Sequence, residues 1–441
     1  MVLGWQFIYN TGTPGSNNYN EEVKVNMTSA KSKTAKSVVA ITRGERWEAK
    51  KVLQEGLELV GGIRSVVKKG DTVLLKPNQC YPPPPGLPPW TCTTDVMIQT
   101  ALTELCLESG AKRVIVGDGT GPWQARYRFQ TDGVVEAIEK VGGELSYFDE
   151  EPHIIREVPG GVLLRKQAIP KVVLDADVII NLPKIKPTRV GNKFTLGFKN
   201  FFGLVPHDER LPWHREPEFV FLLADLFKLV KPALTIMDGF VIQEGNGPRW
   251  GTPLNLGVII MGKDPVATEA VTMLVLGHEV YEQPVLAVAE KYGIGTADLN
   301  NVEVRGRSIE SVRIHAKVSP HDMCVNPSPN VVEYVGGACY GCQLWIQYTP
   351  FPWDIDENKK YALIVGALPR LPGKFAEDEI IVMGNCAMRS KAKILNACPE
   401  GVNPQFIGGC PPYWHREGGY FSGLHNLEDV PRAAPTNYIE G

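Results

Sequence analysis

The chain has 441 residues, 43% of them hydrophobic and 22% charged, with a formal net charge of −3. Such a length favours two domains over a single core, and so small a net charge excludes a global electrostatic drive toward nucleic acid or an anionic membrane. No stretch approaches the about 18–20 uninterrupted apolar residues of a spanning helix. The start "MVLGWQFIYN" lacks a secretory pattern and a twin arginine, so a cytoplasmic protein is expected.

Residues 1–36 are polar and aperiodic, and are expected to form a flexible leader. "SVVAITRG" reads as a first strand, and "RWEAKKVLQEGLELVGGIRSVV" has apolar residues at helical spacing. After the turn "KKGD" comes a second strand, "TVLLKPN", and then "TTDVMIQTALTELCLESG", a helix with a Thr-Asp start and a terminal glycine. "KRVIVGDGTG", the helix "GVVEAIEKVGG" and the strand "ELSYFD" continue the alternation. Later come the apolar runs "DADVIINLPKIK", "ALTIMDGF" and "LGVIIMG", of the kind buried on both faces of a parallel sheet. Helical stretches at "PEFVFLLADLFKLVK" and "DPVATEAVTMLVLG" separate them. The pattern predicts an α/β architecture, a mostly parallel sheet flanked by helices, over residues 37–318. From about 319 to 441 the texture changes to Pro/Asn-rich loops, cysteines and two further strand-like runs, which predicts a smaller cysteine-rich α/β domain.

Nine cysteines, an odd number, argue against a complete disulfide framework. Cys80, Cys92 and Cys106 lie early, and Cys324, Cys339, Cys342, Cys386, Cys398 and Cys410 crowd the last quarter. Cys339 and Cys342 form a Cys-x2-Cys pair in "GGACYGCQ", Cys386 follows a strand in "VMGNCAMRS", and Cys410 stands in "IGGCPPYW". Glycines beside thiolates let backbone N–H groups approach sulfur and stabilise its charge. This set resembles the cluster motif of hydrogenase small subunits and of the related NADH dehydrogenase subunit. The resemblance implies a [4Fe-4S] cluster held by Cys339, Cys342, Cys386 and Cys410. A structural zinc site and unliganded cysteines are the alternatives, although zinc sites usually pair two knuckles. Cys398 is a possible substitute for Cys386 or Cys410.

The motifs "KPN", "D-x-D-x-x-I-N-x-P-K-x-K", "K-N-x-x-G", "E-G-N-G-P" and "D-P-x-A" occur in order between about residues 37 and 318. Together they resemble the domain-of-unknown-function family 362. The family's acidic residue after "D-P-x-A" is an aspartate, where this chain has Glu269. That resemblance names no reaction, so chemistry must come from the residues.

Lys184, Lys186, Lys193 and Lys199 cluster just after the strand "DVIINLP". Ligands of open parallel sheets bind at the carboxyl edge of the strands, where such a segment suits a small carboxylate or phosphate. The other reading is an ordinary solvated loop. Lys184, Lys186, Lys199, Asp238 and Glu244 are the catalytic candidates. Lys76, Asn78, Thr195, Asn200 and Asn246 are the substrate-binding ones. Asp118 and Asp264 also follow strand-like runs, as helix caps or cation ligands, and His207 and His214 are either acid/base groups or structural.

These features lead to the expectation of an iron–sulfur oxidoreductase acting on a small anionic substrate. It would use an external donor such as ferredoxin, because no flavin or nicotinamide fingerprint is present. No nucleic-acid or membrane partner is expected, and a homo-oligomer is possible. The alternatives are a lyase or isomerase using the cluster as a Lewis acid, and an accessory electron-transfer or binding protein with a structural cluster or zinc.

Overall fold

The computed structural model describes residues 35–80, 83–84, 86–120, 125–188, 192–213, 218–319, 330–338, 342, 356, 358–408 and 424–426, with the backbone alone at 208, 211, 212 and 424–426. The expected leader lies outside them except for residues 35 and 36.

Seventeen strands organise the described residues. Those before residue 200 are β1 (Ser37–Arg43), β2 (Thr72–Lys76), β3 (Arg113–Asp118), β4 (Glu144–Tyr147), β5 (His153–Glu157), β6 (Lys166–Pro170), β7 (Val178–Asn181), β8 (Lys186–Pro187) and β9 (Phe194–Thr195). The main domain adds β10 (Leu234–Glu244), β11 (Thr252–Gly262) and β12 (Val302–Gly306). β13 (Val331–Val335), β14 (Tyr361–Val365), β15 (Glu379–Met383), β16 (Gln405–Ile407) and β17 (Leu424–Asn426) follow.

The first sheet has eight strands in the order β12-β1-β11-β10-β7-β2-β3-β4. β10, β7, β2, β3 and β4 run parallel, as expected from the alternation of strands and helices. β11 departs from the expectation: it pairs antiparallel with both β10 and β1. Its link to β10, residues 245–251, is too short for a parallel crossover, so the two runs close as a hairpin.

Period-two alternation sends Leu74, Ile115 and Ile179 to one core, and Val73, Leu75, Val114, Val116, Val178 and Ile180 to the other. Helices cover both faces, which is why these strands read as continuous apolar runs. Each fully buried leucine or isoleucine contributes about 1.5–3 kcal/mol. Asp95 caps helix Val96–Glu108 through the Met97 amide at 3.0 Å. Asp264 caps Pro265–Val275 through the Val266 and Ala267 amides, with proline at the first helical position. Asp264 is therefore the helix cap of the two readings offered for it.

The second sheet takes β13 to β17 in sequence order, parallel except for β17. The smaller C-terminal α/β layer thus has its own sheet and two small cores, one on each face.

Candidate functional site

β2, β7 and β3 end at Lys76, Asn181 and Asp118, so the polar residues that terminate their apolar runs gather at one sheet edge. Register sets Lys76 beside Asn181, and a parallel bridge beyond β7 sets Lys184 beside Asp238. None of Lys76, Lys184 and Lys186 exceeds 1% exposure, which overturns the solvated-loop reading for Lys184 and Lys186.

Lys76 forms an ion pair with Asp118 Oδ1. Burial pulls the Lys76 ammonium below its ordinary range, and Asp118 opposes that pull. Asp118 also accepts the Gln79 and Gly119 amides at 2.8 and 2.9 Å. Asn200 joins the strand ends: its Nδ2 donates to Lys76 O and Asn181 Oδ1, and its Oδ1 accepts from Asn78 Nδ2 at 3.0 Å. The last residue of the "K-N-x-x-G" motif now has a physical reason. A Cβ on Gly203 would lie 2.5 Å from Asp118 Oδ1 and 2.9 Å from Lys76 Nζ, so only glycine lets that backbone pass the ion pair.

Lys184 and Asp238 are both fully buried and pair at 2.9 Å. Asp238 also accepts the Asp95 amide at 2.8 Å, and burial raises its carboxyl pKa against the pull of Lys184. These two catalytic candidates neutralise each other. Beyond them, Arg46 forks onto Asp95 at 2.7 and 2.9 Å and stacks over Trp90.

Lys186 and Lys199 differ from the paired lysines. Lys186 Nζ donates to the neutral carbonyl of Cys92 at 2.7 Å and has no carboxylate at ion-pair distance among the described residues. The Lys199 side chain makes no hydrogen bond or ion pair there; its ammonium rests 4.7 Å from the centre of the Phe219 ring. Lys199 keeps partial solvent access, yet its desolvation prevails and lowers its pKa to about 7, with the Lys186 charge adding to the fall. Cys80 lies in the same field: burial raises its thiol pKa, and the charges of Lys186 and Arg210 lower it. Among the described residues, the buried Asn78 Oδ1 and Gln79 Oε1 have no hydrogen-bond partner.

The remaining candidates are less central. Thr195 is buried in β9 opposite Lys186. Glu244 gives both carboxylate oxygens to Lys317, through its amide at 3.1 Å and its ammonium at 3.2 Å. Asn246 lies in the β10–β11 turn beside Gly247, where an added Cβ would come within 2.8 Å of Pro187. His207 begins the helix His207–Trp213, and His214 lies outside the described residues. Sequence reasoning gave no site role to Cys80, Cys92, Gln79, Asn181 or Arg210. For the first and third of these the signal was their place directly after "KPN".

In the second sheet, Cys342 is 2% exposed and belongs to the core cluster on one face, with Tyr361, Leu363, Val365, Ile381, Met383 and Ile407. Cys386 lies three residues past the end of β15. Cys339 and Cys410 lie outside the described residues. Among the described residues no group of three or more His, Cys, Asp or Glu is arranged to hold a metal ion. Cys398 packs in the core on the other face of this sheet, and its thiol donates to Ile394 O at 3.2 Å.

No helix among the described residues is long and apolar enough to cross a membrane. A surface recess of about 570 Å³ lies along the edge strand β4 and is lined by Arg126, Glu144, Tyr147 and Glu150, none of which belongs to this cluster.

The family described as "Domain of unknown function (DUF362)" matches residues 73–273. Thylakoid-associated protein sll1697 of Synechocystis sp. (strain ATCC 27184 / PCC 6803 / Kazusa) is 31% identical over 264 residues, which cover 58% of this chain and 79% of that protein. The lactate racemase apoprotein of Thermoanaerobacterium thermosaccharolyticum aligns with a TM-score of 0.36 and 13% identity, over 52% of this chain and 54% of that one. A Thermotoga maritima protein aligns with a TM-score of 0.32 and 13% identity, over 56% of this chain and 60% of that one. The chain thus spans little more than half the length of either solved structure, and a likeness at this level bears on no activity.

Proposed function

The chain belongs to the DUF362 family, and from that premise we propose that it is an enzyme that binds a small anionic substrate at the carboxyl edge of its first sheet. The observation that carries this reading is the unequal treatment of the lysines. Lys76 and Lys184 each have a carboxylate, whereas Lys186 and Lys199 have none among the described residues. A desolvated, uncompensated ammonium is costly, and a carboxylate or phosphate between the two would remove that cost. Asn78 Oδ1 and Gln79 Oε1 supply acceptors for a substrate hydroxyl or amine.

With a pKa near neutrality, Lys199 can give or take a proton at its Nζ at physiological pH. Lys186, held by the Cys92 carbonyl, acts as the fixed charge that orients the anion. Lys76, Asp118 and Asn200 keep the floor rigid, and the Lys184–Asp238 pair serves as its internal support.

The same proposal includes a [4Fe-4S] cluster held by Cys339, Cys342, Cys386 and Cys410. Two described cysteines support it: Cys342 is buried in the core cluster on one face of the second sheet, and Cys386 follows the carboxyl end of β15 by three residues. In the sequence, Cys410 follows the end of β16 by three residues. The hydrogen bond from Cys398 to Ile394 and its place on the opposite face support leaving it out of the ligand set. Such a cluster supplies single-electron transfer, with ferredoxin as the class of external donor.

Two measurements test the reading. Calorimetric titration with inorganic phosphate at low salt should give saturable binding that weakens about tenfold or more in Lys186→Met. Equal affinity in the variant would remove Lys186 from the site. Anaerobic purification followed by iron and acid-labile sulfide assays should return both elements in equal amounts; zinc without sulfide would end the redox half of the proposal.

A further inference from the structure

We propose that Glu269 and Gln283 are positioning residues that clamp the segment Lys193–Asn200, and so hold Lys199 and Asn200 in place at the anion site. This inference rests on the reading of that site given above and deepens it.

Neither residue belongs to the lysine cluster itself. Glu269 lies within helix Pro265–Val275, and Gln283 immediately precedes helix Pro284–Lys291. Both are fully buried. Glu269 Oε2 accepts the Phe198 amide at 3.0 Å, and Oε1 accepts Gln283 Nε2 at 2.8 Å. Gln283 Oε1 accepts the amides of Lys193 and Phe194 at 3.0 and 3.2 Å, and its Nε2 also donates to Phe194 O at 2.9 Å. One carboxylate and one amide thus grip the segment at its start and at its final turn.

The segment needs such a grip. Helix Gly197–Asn200 is a single turn, too short to persist by its own hydrogen bonds. Its leading amides have no intrahelical acceptor, and the Glu269 carboxylate takes the one from Phe198, the residue directly before Lys199. From the sheet side, Asn181 Nδ2 donates to Gly197 O at 3.0 Å and fixes the same turn. The Gln283 amide cannot turn over, because its oxygen already faces two donors and its nitrogen two acceptors. Glu269→Gln would keep the Phe198 contact but oppose an NH2 group to Gln283 Nε2, so it loosens the clamp with almost no change of volume.

The test reads Lys199 directly. The wild type, Glu269→Gln and Gln283→Asn are acetylated with trace acetic anhydride across pH, with exposed Lys166 as internal reference, and Lys199 modification is followed by peptide mass spectrometry. The wild-type profile should have its midpoint near neutrality. In either variant it should move up by about one pH unit or more, as the released ammonium regains water. Phosphate affinity should fall about tenfold alongside. Circular dichroism identifies the folded variants, and Gln283→Asn decides alone if Glu269→Gln does not fold. Folded variants with the wild-type Lys199 profile would overturn the clamp, even if their melting temperatures fall, because a purely structural role predicts that result. A shifted profile in variants of a protein that binds no phosphate leaves the clamp standing and removes the anion reading. Phosphate binding with unshifted profiles does the reverse.

Discussion

Glu269 should make the protein progressively less stable as pH rises from about 4.5 to about 7. The side chain is fully buried, and burial raises its pKa from the ordinary 4.5 to about 7. The N–H donors of Gln283, Phe198 and Gly197 hold it below what burial alone would give. Among the described residues, none of its hydrogen-bond partners is charged. For a carboxyl whose pKa is raised by folding, the native state binds more protons than the unfolded chain between the two values. Its stabilisation is therefore complete below the unfolded pKa and is lost as pH rises through the folded one. The gap from 4.5 to about 7, at about 1.4 kcal/mol per tenfold in proton affinity, is worth about 3 kcal/mol. That is a large share of a typical stability of about 5–15 kcal/mol. Urea denaturation of the wild type and Glu269→Gln, from about pH 5 to about pH 8, isolates the effect, because every other group titrates in both proteins. The wild-type stability minus that of the variant should fall by about 2.5 kcal/mol over this range. The fixed loss from opposing two donors in the variant shifts the whole curve by about 1–3 kcal/mol without changing its slope. A difference constant with pH would mean that the N–H donors outweigh desolvation and that Glu269 stays ionised throughout.

Other outcomes follow from the same arrangement. Lys184→Met should cost about 3–5 kcal/mol by leaving the fully buried Asp238 without its counter-charge, whereas a Lys184→Met/Asp238→Leu double variant should cost less than the sum of the single changes, as thermal melts would show. Asn200→Ala should lower stability by about 1–3 kcal/mol by stripping partners from Asn181 and Asn78. Burial pushes the Cys106 thiol up to about 12, so it should resist iodoacetamide at pH 8 in the native protein and react once the protein is unfolded in urea. Cys386→Ser should lower bound iron and sulfide, whereas Cys398→Ser should leave both unchanged in anaerobically purified protein.

The local texture of the sequence was enough for the alternation of the first sheet and its helices. Apolar runs such as "TVLLK" and capping residues such as Asp95 and Asp264 act over a few neighbouring residues, so their meaning is readable without the rest of the chain. The motif spacing also pointed to Lys76, Asn78, Lys186, Lys199 and Asn200, because strand ends are local features and polar residues directly after them reach the carboxyl edge. Which lysine is neutralised was not legible. Asp118 reaches Lys76 across 42 positions, and Asp238 reaches Lys184 across 54. Glu269 and Gln283 reach their segment across still larger gaps, and nothing in "DPVATEAV" hints at a partner near residue 198. Ion pairing, desolvation and clamping depend on distances between residues remote in sequence. Tertiary structure alone decided them, and they separate the lysines that have a carboxylate partner, Lys76 and Lys184, from Lys186 and Lys199, which have none among the described residues.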